Sequence, residues 1–198
     1  MAASLLQPLI GADDGGTGEA VESCGEAQSD SRPIDAGCIM SVDEFWDWCV
    51  ARYRVKDLER ALLDLQDQAN LVVLEILLAV WLGQQGRVWS MSDLQALRAG
   101  IEQWNEEVVI PLRRTRQRWK SQPELAAARA RLLQLELTAE RQLVELMWQS
   151  FDPLEIKPAP DRASAECARA NLRILVTGRE GEFAPLVDSV VDMTVRAT

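Results

Sequence analysis

The stretch Leu71–Leu82, LVVLEILLAVWL, constrains the fold more than any other part of the chain. It holds twelve residues with one charge, Glu75, and ends at Gly83. On a helical wheel its apolar residues cover almost the full circle, and such a helix must be enclosed by protein or by lipid. Crossing a bilayer takes about 20 apolar residues, and this run stops short, followed at once by Gln84, Gln85 and Arg87. A strand is the competing reading, because Val72, Val73, Ile76 and Val80 are β-branched. Strands run about 4–8 residues, however, and this run is longer and rich in Leu and Ala. The pattern predicts a buried helix at the centre of an all-α fold: a single irregular bundle of about six to eight helices packed round it.

Composition narrows the rest. A chain of 198 residues suits one domain with a sizeable core. Seven tryptophans stand against one tyrosine, and each can bury about 150–250 Å². At helical spacing they are expected as core anchors, with an aromatic ligand pocket as the alternative. The formal charge of −10 is uneven: residues 1–40 hold seven acids and one base, the remainder 24 acids and 20 bases. That balance argues against a general affinity for nucleic acid or anionic membrane. There is no histidine, which removes the commonest general base, the commonest metal ligand and the Ser-His and Cys-His pairs of nucleophilic catalysis. Cys24, Cys38, Cys49 and Cys167 form no C-x-x-C, so neither a zinc site nor another cofactor is expected. Few cysteines and no export signal point to the cytoplasm.

Taken in order, residues 1–40 are rich in Gly, Ala, Ser, Asp and Glu and are expected as a disordered acidic leader, because they bury too little to offset ordering entropy. Met40 is a candidate biological start. The helical core is expected over 41–151. Ser41 and Glu44 have capping-box spacing before a first helix from Val42 to Tyr53. A second follows from Lys56 to Gln68, with Leu58, Leu62, Leu63 and Leu65 inward and Asn70 as a left-handed stop. After the central helix, Ser90 or Ser92 caps a short fourth helix ending near Gly100. A fifth spans Ile101 to Lys120, disturbed at Pro111, which lacks a backbone donor. Acids crowd its first half and bases its second, an order that complements the helix dipole. Ser121 and Glu124 form a second capping box before a sixth helix, Pro123 to Phe151, with Leu125, Ala128, Leu132, Leu135, Ala139, Leu143 and Leu146 on its apolar stripe. Residues 152–160 read as a proline-rich linker, and 161–198 as a helix pair packed on the bundle.

Several short motifs in order resemble one family. Phe45-Trp46, Leu65-Gln66-Asp67, Trp81-Leu82-Gly83, Trp104, Val108-Val109, Pro111-Leu112-Arg113, Arg116, Glu136 and Glu140-Arg141 are similar in order and spacing to the proteobacterial family called domain of unknown function 2390, over roughly Ser41 to Phe151. The resemblance implies a short, cytoplasmic, all-helical protein, and carries no biochemical activity with it. The family pattern has a polar residue near Leu74, where this chain is apolar.

Seven residues are candidates for binding. Glu75 is the lone charge of the central helix; a buried, unpaired carboxylate there would titrate high, whereas the plainer reading puts it at the bundle edge or against an arginine of the fifth or sixth helix. Gln66 and Asp67 end the second helix and either meet a ligand or organise the turn. Arg113, Arg114 and Arg116, with Trp119 among them, either contact nucleic acid or form a solvated helix end. No catalytic constellation is present. The leading reading is a non-enzymatic cytoplasmic protein acting through protein–protein contacts. A small-molecule-binding or enzymatic bundle with a pocket near Glu75 is the alternative, and a nucleic-acid- or ribosome-associated factor using Arg113 to Lys120 a further one.

Overall fold

The computed structural model describes residues 41–150, 152–153 and 155–196. The expected leader, with Cys24, Cys38 and Met40, lies outside the described residues. Among those described, the regular structure is helical apart from a bridge between Arg87 and Pro158.

The first helix, α1 (Val42–Tyr53), opens with the expected capping box: Ser41 Oγ accepts from the Glu44 backbone, and Glu44 accepts from the Ser41 N–H. It buries Phe45, Cys49 and Tyr53. Next, α2 (Lys56–Ala69) buries Leu58, Leu62 and Leu65, with Leu63 only half-buried. Asn70 then takes φ 55° and ψ 43°, the left-handed conformation that asparagine tolerates better than most residues. The chain turns by 119° into α3 (Val73–Gln84).

Every residue of α3 from Val73 to Gly83 is buried, Glu75 included. Its main neighbour comes from the far end of the chain: α3 packs most extensively against α7 (Ser164–Leu175). Gly83 makes this approach possible, since a Cβ there would lie 2.3 Å from the backbone N and Cα of Ala168. Asn171 of α7 is wholly buried and fully used. Its Nδ2 donates to Ala79 O (3.0 Å) and Arg87 O (2.9 Å), while its Oδ1 and its backbone O accept from the backbone and indole N–H groups of Trp89. Helix α8 (Glu180–Arg196) packs on α7 and α2. The C-terminal pair therefore completes the core. No single helix among the described residues is long and apolar enough to cross a membrane; α2 and α3 pass that test only together, across their sharp bend.

The largest departure from expectation lies in the middle of the chain. Gly100 does not end a helix: α4 (Met91–Trp104) runs through it and continues by a π-helical turn, Asn105–Val109, into α5 (Ile110–Arg118). Ser90 caps the start in a box with Asp93. Gly100 is present for clearance, because a Cβ would meet Ser150 Oγ at 1.6 Å. The disturbance expected at Pro111 appears as the π turn just before it, where Ile110 N–H reaches back to Asn105 O. Widening the helix there accommodates a residue that can neither donate nor tolerate the preceding carbonyl closely.

After two short 3-10 turns, Trp119–Ser121 and Pro123–Leu125, the chain returns along α6 (Ala126–Ser150). The second capping box does not form: Gln122 occupies the cap position and no side chain bonds to the exposed amides. The apolar stripe is also displaced. Helix α6 buries Glu136, Ala139, Glu140, Leu143, Val144 and Met147, whereas Leu135 is 58% exposed and Ala128 faces solvent. Residues 152–160 carry no helix, as expected of a linker, yet they are pinned to the α3–α4 connection: Val88 N–H donates to Lys157 O, Ala159 N–H to Gly86 O, and the Arg87 guanidinium to Ile156 O.

Candidate functional site

Two polar assemblies flank the α4–π–α5 rod. The first lies between α5 and α6. Arg116, 2% exposed, faces Glu136, with Nε on Oε2 and Nη2 on Oε1 at 3.1 Å. Arg113 spans both acids, Nε to Glu136 Oε1 at 3.3 Å and Nη2 to Glu140 Oε1 at 3.1 Å. Glu140 Oε2 is buried and, among the described residues, accepts no hydrogen bond. Burial pushes the Glu140 carboxyl well above the ordinary glutamate range; Arg113 opposes this, the Glu136 charge reinforces it, and Arg116 opposes it more weakly. Two guanidinium and two carboxyl groups thus form a continuous ladder, Arg116 to Glu136 to Arg113 to Glu140, between the two helices. Arg113 and Arg116 are consequently not part of a solvated basic face. They point inward because α6 presents acids at i and i+4 opposite them, and a buried guanidinium needs such partners.

The second assembly is an open groove between the α2–α3 corner and the rod. It has two lobes, of about 340 and 490 Å³, which share Asn70, Leu71 and Val72 on one wall and Asn105 and Glu106 on the other. Asn105 and Glu106 belong to the π turn, a feature frequent at functional sites because it re-aims side chains from an otherwise regular helix. The smaller lobe contains Glu75 and Arg98. Glu75, 2% exposed, is gripped by Arg98 through Nε (3.1 and 3.2 Å) and Nη2 (2.9 Å). The expected arginine partner exists, but it comes from α4 rather than from a fifth or sixth helix. The larger lobe contains Gln66, Asp67, Arg113, Arg114 and Gln117. Gln66 Oε1 is buried there with no hydrogen-bond partner among the described residues, and Asp67 and Arg114 are exposed.

Five of the seven candidates, Gln66, Asp67, Glu75, Arg113 and Arg114, thus lie along one groove. Arg116 lies in the ladder, outside the groove lining, and Trp119 is half-buried on the 3-10 turn away from it. Asn105 and Glu106 carry no binding signal in the sequence, since nothing local announces a π turn. Glu136 and Glu140 enter the sequence reading only through the resemblance; their i, i+4 spacing beside Ala139 and Leu143 is a signal that an acidic pair faces inward. Asn171 gives none.

No curated protein and no solved structure matches the chain. A profile of the family described as protein of unknown function DUF2390 matches residues 44–147, from the first turn of α1 almost to the end of α6. The match includes the whole ladder and most of the groove but stops short of α7, the principal neighbour of α3. By a match over more than half its length, the chain belongs to the DUF2390 family.

Proposed function

We propose that the protein is a non-enzymatic, cytoplasmic binding protein that holds a polar segment of a partner protein in the groove between the α2–α3 corner and the rod. One observation carries this reading: Gln66, Asp67, Glu75, Arg113 and Arg114, separated by up to 48 positions in sequence, converge on a single open groove. Its polar lining supports a polypeptide occupant. Small-molecule pockets are concave and mainly apolar, whereas the larger lobe has only Leu71, Val72 and Ile110 as apolar lining. Among the described residues the large apolar side chains left exposed, Val55 in the α1–α2 turn and Met91, Leu135 and Val195 on three different helices, make no stripe for a partner helix, so polar recognition in the groove is favoured over apolar docking.

The groove reading is tested with Asp67→Lys and Arg114→Glu, both exposed positions whose replacement leaves the core intact. The immobilised wild type retains a set of proteins from the native cell that mass spectrometry identifies, and each variant, with an unchanged thermal melt, loses that set. Retention of the same proteins by both variants would remove the groove from the interaction.

A second reading, a small polar ligand in the larger lobe, draws on the unpartnered Gln66 Oε1. A thermal shift produced by the low-molecular-weight fraction of a lysate, lost in Gln66→Leu, would favour it. The nucleic-acid reading has less to rest on, because Arg113 and Arg116 are committed to Glu136 and Glu140, leaving Arg114, Arg118 and Lys120 at the surface.

A further inference from the structure

The groove does not end at Arg114. That side chain also borders a shallow surface on the outer side of α5, with Thr115 and Arg118, just as Glu106 borders both lobes of the groove. The overlaps make one track along the rod, from Glu102 in the smaller lobe to Arg118. Along the rod wall its charge runs in one direction: Glu102 and Glu106 are exposed at one end, Arg114 and Arg118 at the other, while the facing wall adds one exposed acid, Asp67, in the larger lobe. Among the described residues none of these four has an ion-pair partner.

Helix electrostatics account for Arg118, in the last turn of α5, but not for the acids. Were a helix to begin at Ile101, the acids would lie in its first turns and complement its dipole. The helix begins at Met91, so Glu102 and Glu106 sit about three turns or more inside it, and the dipole's influence fades beyond the first turn. Nor does the ladder use them, since it occupies the α6 side of α5. Four unpaired charges sorted by sign along one wall of an open track are what a surface needs to orient a charged partner, because complementary potentials fix register and suppress reversed binding.

Resting on the groove reading, we infer that the track takes an extended polypeptide segment of a partner protein carrying basic side chains at one end and acidic side chains at the other, the bases against Glu102 and Glu106 and the acids against Arg114 and Arg118. The rod rises about 1.5 Å per residue, so Glu102 and Arg118 stand roughly 24 Å apart along it. An extended chain covers that distance in about seven residues. Asn70, exposed, and Asn105, half-buried, on facing walls, offer amide groups to the backbone of such a segment between the two charged ends.

The test pans a displayed library of random nonapeptides against the immobilised full chain at low salt, then measures affinities of enriched peptides by fluorescence anisotropy. Enriched sequences are expected to place Lys or Arg about seven residues from Asp or Glu. Binding should weaken at least tenfold in Arg114→Glu and in Glu106→Lys, each retaining the wild-type melting temperature. Arg114→Glu/Arg118→Glu should select instead peptides basic at both ends. Enrichment of apolar or single-sign peptides would overturn the dipolar segment while leaving a polypeptide groove, and an absence of any enrichment would overturn it also. The groove reading itself fails only if the native partners survive Asp67→Lys and Arg114→Glu, so the two failures are distinct.

Discussion

The shell round α3 and the α5–α6 hairpin bury side chains by opposite means. Around α3, apolar groups meet apolar groups: Phe45, Trp81 and Trp148 lie with ring centroids 5.1 to 5.8 Å apart, and Gly83 lets α7 approach to backbone contact. Each large side chain withdrawn from water there contributes about 1.5–3 kcal/mol, with no partner required beyond good packing. In the hairpin, Arg113, Arg116, Glu136 and Glu140 are withdrawn from water while charged or chargeable. Their mutual attraction has first to offset a desolvation cost of several kcal/mol per ion. The apolar shell is therefore vulnerable to lost volume and the ladder to lost pairing.

The largest effects separate these two vulnerabilities. Trp81→Ala is expected to cost about 3–5 kcal/mol in urea denaturation, because Trp81 is 4% exposed and its neighbours cannot collapse into the space of an indole. Glu136→Ala should cost a similar amount, about 3–5 kcal/mol, by leaving Arg116 buried and unpaired. The distinction appears in the repair. Replacing both members, Arg116→Met with Glu136→Leu, should regain most of the loss, since an apolar pair of similar volume needs no counter-charge. No second substitution beside Trp81 restores the removed volume so simply. A double variant as unstable as Glu136→Ala alone would show that the ladder contributes net stability as a network.

Gly83→Ala comes next, at about 1–3 kcal/mol, the usual range for overpacking. The colliding atoms are the backbone N and Cα of Ala168, so relief requires α7 to move as a body. A smaller loss would mean that the C-terminal pair can shift on α3, and that the apolar shell is softer than its packing suggests.

The same contrast explains what could be read in the sequence. The helix α3 is legible because a twelve-residue apolar run has few alternatives in water, and Asn70 and Ser41 are legible because caps and turns are local chemistry. The hairpin is not. Gly100 reads as a break, since its reason for being glycine is Ser150, fifty positions away. Arg113 and Arg116 look like surface, since their partners lie on another helix and charge is ordinarily outside. For the same reason the apolar pattern puts Leu135, not Glu136, in the core. Groove residues Gln66, Asp67 and Glu75 were visible as local oddities, a polar pair at a helix end and one charge in an apolar run. Their assembly with Arg113 and Arg114 depends on the angle of the α2–α3 bend; Asn70 marks where the chain turns but not by how much.

Glu140→Gln probes the ladder through pH. The carboxyl of Glu140 is raised by burial, so the folded state holds a proton that the unfolded state has released. Between the ordinary glutamate value and the raised one, wild-type stability therefore falls as pH rises. Glutamine has no proton to lose and keeps an oxygen for Arg113. The stability of Glu140→Gln relative to wild type should accordingly improve as pH is raised from about 4 toward neutrality, measured as urea midpoints across that range. Parallel curves would show that Glu140 is as ionised in the fold as out of it.

The smallest effect tests whether the two regions are energetically separate, given that one rod serves both. Its first turn is held by Ser90, next to Trp89 in the apolar shell, and its last turns carry Arg113 and Arg116. Ser90 Oγ accepts from the Asp93 backbone N–H at 3.3 Å, and Asp93 accepts in return from the Ser90 N–H at 2.7 Å. Ser90→Ala removes one arm of that box, at a cost of about 1 kcal/mol. If the π turn at Asn105–Val109 lets the two halves respond independently, amide exchange should quicken in the turn after Ser90 and stay unchanged from Arg113 to Arg118. Equal quickening along the whole rod would make it one cooperative unit, with shell and ladder opening together.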